Sequence, residues 1–252
     1  MSSKVIEGES IRVARGNKTI LRGVTVHADK GEVVGVLGPS GAGKSTLFRA
    51  LVGEIAPGEG RVILLGRDVT KDPLWARARL GLSYVPQTPS VLWDLTVREN
   101  LGVYHRIVHR GGKDEARSAI KALAKKVALD DQLDVRAGAL SGGERRRLEL
   151  ARALTRPPTA LICDEPFAGV DPQQASRLGD MLQKLAVEDG VAVMLADHHV
   201  EEALRVCTRA VLLLDGEVAA EAEPEAFREH PLVVGRYLGS WQRSLPPPPV
   251  AE

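Results

Sequence analysis

Short apolar, β-rich runs at residues 11–13, 24–27 and 33–37 open the chain, and a glycine-rich stretch then passes into helical spacing over 45–52. The pattern predicts strand, loop, helix. Two later runs, 160–163 and 191–196, are apolar throughout and are separated by a polar, helix-compatible stretch. Continuous apolar runs of that length predict parallel strands buried on both faces and joined by crossover helices, hence an α/β core. Between about 72 and 139 helix formers dominate, with Ala116, Ile120, Leu123, Ala124 and Val127 at helical spacing. This segment reads as a helical subdomain inserted between core parts 1–71 and 140–222. After Leu214, Asp215-Gly216 signals a hairpin turn into a strand at 217–220, and residues 224–238 carry one or two terminal helices. The whole of 1–240 reads as a single domain, followed by a tail from 241 in which Pro246 to Pro249 favour an extended chain.

At 252 residues and 44% hydrophobic content the chain can bury a large core. Lys and Arg number 34 against 33 Asp and Glu, a formal net charge of +1, so no overall electrostatic attraction to nucleic acid is expected. The apolar runs fall far short of the roughly 20 residues that cross a bilayer. The first ten residues lack the apolar segment of a secretory signal, and the two cysteines, Cys163 and Cys207, have no metal-like spacing. The expected location is the cytoplasm.

Chemistry enters with Gly38-Pro39-Ser40-Gly41-Ala42-Gly43-Lys44-Ser45-Thr46, which fits G-x-x-x-x-G-K-[ST] between a predicted strand and a predicted helix. Glycines there let backbone N–H groups wrap phosphates at the positive end of a helix. Lys44 reaches the outer phosphates and the Ser45 hydroxyl suits Mg²⁺. The apolar run 160–163 ends in Asp164-Glu165, which puts two carboxylates where open α/β sheets bind ligands. Asp164 is assigned to Mg²⁺ through water. Glu165 is assigned to the attacking water, because phosphoryl transfer depends chiefly on positioning and charge neutralisation. Farther along, Ser141 can cap a helix whose first residues are two bare glycines, Gly142 and Gly143, followed by Glu144.

Leu140-Ser141-Gly142-Gly143-Glu144 and the run Arg145-Arg146-Arg147-Leu148-Glu149 closely resemble the signature of ABC transporter ATPases, and other motifs of that family follow in order. Gln87 resembles the Q-loop glutamine that touches Mg²⁺, Asp171 the D-loop aspartate of the dimer, and His198 the switch histidine, with His199 as its rival. The resemblance implies a P-loop NTPase core of ABC ATPase type, α/β, with an N-terminal antiparallel β subdomain and an inserted α-helical subdomain. It also implies ATP and Mg²⁺, and a homodimer, or a pair with a related chain, that closes head to tail. ATP then lies between the phosphate loop of one copy and the signature residues Ser141, Gly142, Gly143 and Glu144 of the other. Arg15 falls where the family usually stacks an aromatic residue on adenine, which leaves base selectivity open.

Glu144 in place of glutamine, 164–172, Asp197-His198 and Arg236-Tyr237-Leu238-Gly239 resemble the lipopolysaccharide-export ATPases in particular. That likeness implies a subunit on the cytoplasmic face of the inner membrane that works with two transmembrane permease subunits and never touches the cargo. The branched-chain amino-acid importer ATPases are the alternative, and a non-transport ATPase acting on nucleic acid is a third. Leu92 and Trp93, just after Gln87, are the candidates for contact with the membrane subunits.

Overall fold

The computed structural model describes residues 4–109 and 112–239. A six-stranded sheet runs in the order β10 (Glu217–Ala222), β9 (Arg209–Leu214), β3 (Val33–Leu37), β8 (Ala192–Ala196), β7 (Ala160–Asp164), β6 (Leu82–Val85), and a four-stranded antiparallel sheet in the order β2 (Lys18–Asp29), β1 (Lys4–Arg15), β4 (Glu59–Leu64), β5 (Arg67–Asp68). The central strands are β3 (Val33–Leu37), β7 (Ala160–Asp164) and β8 (Ala192–Ala196), each buried at every position. Their side chains alternate between two cores. Val33, Leu37, Leu161, Cys163, Val193 and Leu195 face one, whereas Val34, Val36, Ile162 and Met194 face the other. Continuous apolar runs are needed because both faces of the sheet are covered.

On one face lie α1 (Lys44–Val52) and the antiparallel sheet, built from the hairpin β1 (Lys4–Arg15) and β2 (Lys18–Asp29) with β4 (Glu59–Leu64) and β5 (Arg67–Asp68). On the other lie α6 (Pro172–Val187) and α7 (Val200–Val206), and this core continues into α3 (Val97–Val108), α4 (Lys113–Lys126) and α5 (Gly142–Ala153). β9 (Arg209–Leu214) and β10 (Glu217–Ala222) form the expected hairpin, with Asp215 at φ 50° and Gly216 at φ 82° in a two-residue turn. α8 (Pro224–Glu229) and a last helical stretch from Pro231 to Leu238 close the described chain. Trp241 and the proline tail lie outside the described residues.

One boundary moves. β6 (Leu82–Val85) lies inside the span 72–139 assigned to the helical insertion, yet it pairs in parallel with β7 as an edge of the core sheet. The short helix α2 (Leu74–Arg79) precedes it, and its Arg77 side chain reaches the last turn of α1. Four residues are too few to show a period, so helix formers on either side masked the strand.

Candidate functional site

The phosphate loop leaves β3 at Gly38, whose φ of 153° a side chain rarely adopts and where an added Cβ would sit 2.2 Å from the Leu213 carbonyl. Gly43, at φ 109°, caps α1 with a Cβ position 2.7 Å from Leu21. Side chains are excluded at these bends, so the N-terminus of α1 stays bare toward the loop. Lys44, the first residue of α1, is buried and folds back, donating from Nζ to the carbonyls of Gly38 at 2.6 Å and Pro39 at 3.1 Å. Burial pulls its pKa down, against the opposing pull of Glu165, Asp164 and Asp197. Pro39, Ser40 and Gly41 form the exposed lip of the loop, Ala42 is buried with its N–H on the Pro39 carbonyl, and Thr46 is half-buried one residue beyond Ser45.

Ser45 donates from Oγ to Asp164 Oδ1 at 3.2 Å, so hydroxyl and carboxylate meet across α1 and β7. Burial pushes the Asp164 carboxyl up, the Ser45 hydrogen bond pulls it down, and the Glu165 charge raises it further. A carboxylate and a hydroxyl in one half-buried spot, short of positive charge beyond Lys44, form the oxygen-rich donor set that suits Mg²⁺. The residues present therefore fit that ion. Gln87 is exposed in the loop after β6 and accepts through its backbone carbonyl from Arg146 Nη2 at 2.9 Å. Among the described residues its side chain makes no hydrogen bond to Ser45 or Asp164.

Glu165 has φ 51°, a strained value for a residue that is not glycine, and its N–H donates to the Ala196 carbonyl at 2.7 Å. His198 Nδ1 lies 3.5 Å from Glu165 Oε2. Asp197, wholly buried, holds both segments. Its Oδ2 accepts from the Phe167 N–H at 2.9 Å, and its Oδ1 accepts from the N–H groups of His198 and His199 at 2.8 and 2.9 Å. The ring Nδ1 of His199 lies 2.7 Å from the same Oδ1. Of the two histidines, His198 faces Glu165 and His199 faces Asp197. Sequence reasoning assigned Asp197 no role, because its main partner is a backbone group 30 residues earlier.

Ser141 caps α5 in a capping box: its Oγ accepts from the Glu144 N–H at 3.3 Å, and Glu144 Oε2 accepts from the Ser141 N–H at 2.8 Å. These bonds, the backbone one first, hold the Glu144 carboxyl below its ordinary range. Gln132 also donates to Glu144 at 3.3 Å, so this carboxylate is engaged within its own chain. A Cβ at Gly142 would lie 2.7 Å from the Gly169 carbonyl and one at Gly143 2.7 Å from Gln174, so both glycines also serve close packing. Asp171 caps α6, accepting from the Gln174 N–H at 3.0 Å. No hydrogen bond or ion pair among the described residues joins 141–144 to the phosphate loop. Arg15 is exposed at the end of β1, with no ion-pair partner among the described residues.

Behind the signature, Arg146 and Glu149 form a buried pair at 2.9 Å that ties α5 to the loop after β6. Arg146 donates to the Pro86 carbonyl at 3.1 Å, and Glu149 accepts from the Ser90 N–H at 2.6 Å. A cleft of ≈ 740 Å³ opens beside this tie, lined by Leu74, Trp75, Tyr84, Tyr104, Ile107 and Arg152 among others. Leu92 and Trp93 do not line it. The amide of Asn100 grips the backbone of Leu92 at 2.9 Å, and the Trp93 ring lies under the Arg145 guanidinium at 5.5 Å. Both stay partly exposed outside the cleft, whereas Trp75, which carried no signal in the sequence, lines it.

A mainly parallel sheet with a glycine loop between β3 and α1, and an acid pair at the end of β7, the next strand but one, defines a P-loop nucleotide hydrolase. Residues 21–168 match the ABC transporter family. The chain is 37% identical over 238 residues to the lipopolysaccharide export system ATP-binding protein of Acidithiobacillus ferridurans, covering 94% of this chain and 98% of that one. The protein of that name from Escherichia coli K12 is 34% identical over 234 residues, covering 93% and 97%. Among solved structures, a nucleotide-free ATP-binding cassette of an ABC transporter superposes with a TM-score of 0.83 at 27% identity, covering 92% and 98%. A dimeric cassette in a post-hydrolysis state, bound to ADP and Pi, gives 0.78 at 28% identity, covering 87% and 98%. The chain belongs to the ATP-binding subunits of ABC transporters, and it is an ATPase.

Proposed function

We propose that two copies of this chain close head to tail over two ATP molecules and thereby drive two transmembrane permease subunits that extract lipopolysaccharide from the inner membrane. The observation that carries this reading is the division of the site. The phosphate loop, Asp164, Glu165 and His198 lie together, while among the described residues the capped α5 N-terminus at Ser141 to Gly143 has no bond to them. A second copy supplies the missing half. Its α5 N-terminus presents partial positive charge to the γ-phosphate, and Asp171 speaks across the closed interface.

In this reading Lys44 exchanges the carbonyls of Gly38 and Pro39 for phosphate oxygens. Mg²⁺, held by Ser45, by Asp164 through water and by Gln87, would neutralise phosphate charge. Glu165 orients the attacking water and His198 fixes the side chain of Glu165, giving ADP and phosphate. Arg15 stacks on the base. The cleft flanked by Trp75 and Ile107 receives an apolar helix of each permease subunit, so the chain sits on the cytoplasmic face of the membrane without contacting cargo or nucleic acid. Likeness to the lipopolysaccharide export proteins over nearly their full length supports this cargo.

The test is purification of Glu165→Gln from native membranes with ATP, followed by mass spectrometry of bound proteins and lipids. Two polytopic subunits with lipopolysaccharide are expected. An amino-acid permease pair would replace export by import, and nucleic acid without membrane subunits would overturn the transporter reading.

A further inference from the structure

Arg77 is the largest fully buried side chain in the described protein, 1% exposed, and no carboxylate pairs with it. Its fork is spent on carbonyls instead. Nη1 donates to Ala50 at 2.8 Å and Leu51 at 2.7 Å, Nε to Asp72 at 2.8 Å, and Nη2 to Thr70 at 3.0 Å. Ala50 and Leu51 belong to the last turn of α1, where the helix end is negative and the capping Gly53 N–H reaches the Ala50 carbonyl only at 3.3 Å. The first turn of that same helix carries Lys44 and Ser45, roughly 9 Å away at about 1.5 Å per residue. Burial lowers the Arg77 pKa, so the charge is held there at a cost that Asp72 and Asp68 only partly offset. The space is fitted to it: at Gly53, with φ 84°, a Cβ would sit 2.8 Å from Arg77 Nε.

The other side of α2 faces the cleft. Leu74, Trp75, Ala78 and Arg79 line it, as does Val52, the last residue of α1. We infer that Arg77 is a positioning residue through which the cleft and the phosphate loop sense one another, because its guanidinium clamps α2 to the C-terminal turn of the helix that bears Lys44 and Ser45. A short rigid helix held at its far end passes on a shift in either direction, and whatever ATP does to α2 an occupant of the cleft does to ATP. The inference rests on the nucleotide site proposed above.

Trp75 makes it measurable, since it is 60% exposed and stacked under Arg79 at 5.0 Å, an environment sensitive to any shift of α2. With Trp93→Phe and Trp241→Phe in the full chain, Trp75 is the sole tryptophan reporter. Equilibrium dialysis with labelled MgATP scores binding separately. The parent is expected to bind ATP and to change its Trp75 emission; Arg77→Met is expected to bind ATP while that change is lost. Arg77→Lys keeps the charge but not the fork, is expected to give an intermediate response, and decides the matter should the methionine variant not fold. A parent that binds ATP without a Trp75 response, or variants that respond as the parent does, would overturn the inference even if their melting temperatures fall. A parent that binds no ATP would overturn the nucleotide site and the inference together.

Discussion

Replacing Asp197 with asparagine removes one charge and turns one of two acceptor oxygens into a donor, at a site where the carboxylate receives three backbone N–H groups and one ring nitrogen. If the amide oxygen stays on the histidine side, its NH₂ opposes the Phe167 N–H, which is buried. A hydrogen bond to a charged group contributes about 1.5–3 kcal/mol, and a neutral one about 1. The loss for Asp197→Asn is therefore about 2 kcal/mol, and for Asp197→Ala, which leaves every donor unpaired, about 4. In a chain of this size 1 kcal/mol moves the melting temperature by about 2–4 °C, so the asparagine variant is expected to melt about 4–8 °C lower and the alanine variant about twice that.

Activity should fall further than stability. Phe167 follows Glu165 by two residues, and the Asp197 bond is what sets their turn against the segment bearing His198. Releasing it lets Glu165 relax from φ 51° toward commoner backbone, and a displacement near 1 Å costs on the order of 10²-fold in rate. Melting followed by circular dichroism, together with phosphate release at saturating MgATP, reads both effects. An Asp197→Asn variant that melts within about 1 °C of the parent and hydrolyses ATP at the parent rate would show that this carboxylate anchors nothing.

Asp164→Asn should abolish hydrolysis yet stabilise the nucleotide-free chain. Burial raises the folded pKa of Asp164, so the folded state holds the proton longer and stability is lost as pH rises through the carboxylate range. The melting difference between variant and parent is therefore expected to widen from pH 4 to pH 7, and a difference that narrows would refute the assignment. Gly53→Ala forces a side chain into φ 84° and against Arg77, and is expected to cost about 2–4 kcal/mol in urea unfolding. On the proposed stacking of Arg15 against the base, which does not select adenine, kcat/KM for GTP should lie within about tenfold of that for ATP, and Arg15→Ala should weaken both by a similar factor.

What could be read along the chain and what could not divides by the kind of bond involved. The phosphate loop, Asp164-Glu165 and the serine-to-glutamate spacing at 141–144 are contiguous in sequence, and each motif carries its chemistry in its own side chains. Strands β3, β7 and β8 were legible because burial on both faces demands unbroken apolar runs. Arg77, Asp197, Arg146 and Glu149 were not, although all four are buried charges that hold functional segments in place. Arg77 meets carbonyls 26 and 27 residues earlier, Arg146 carbonyls 59 and 60 earlier, and Asp197 an N–H 30 earlier. Every residue carries a carbonyl, and every residue but proline an N–H, so a side chain bonded to distant backbone leaves no mark on its partner's identity. The cleft was missed for a related reason: Trp75 and Ile107 come from different helices that only the fold brings together, while Leu92 and Trp93 stood closer in sequence to Gln87. Each motif proposed to act on the nucleotide is thus written in adjacent letters, and the ties that would pass force between the motifs run through backbone that any sequence supplies.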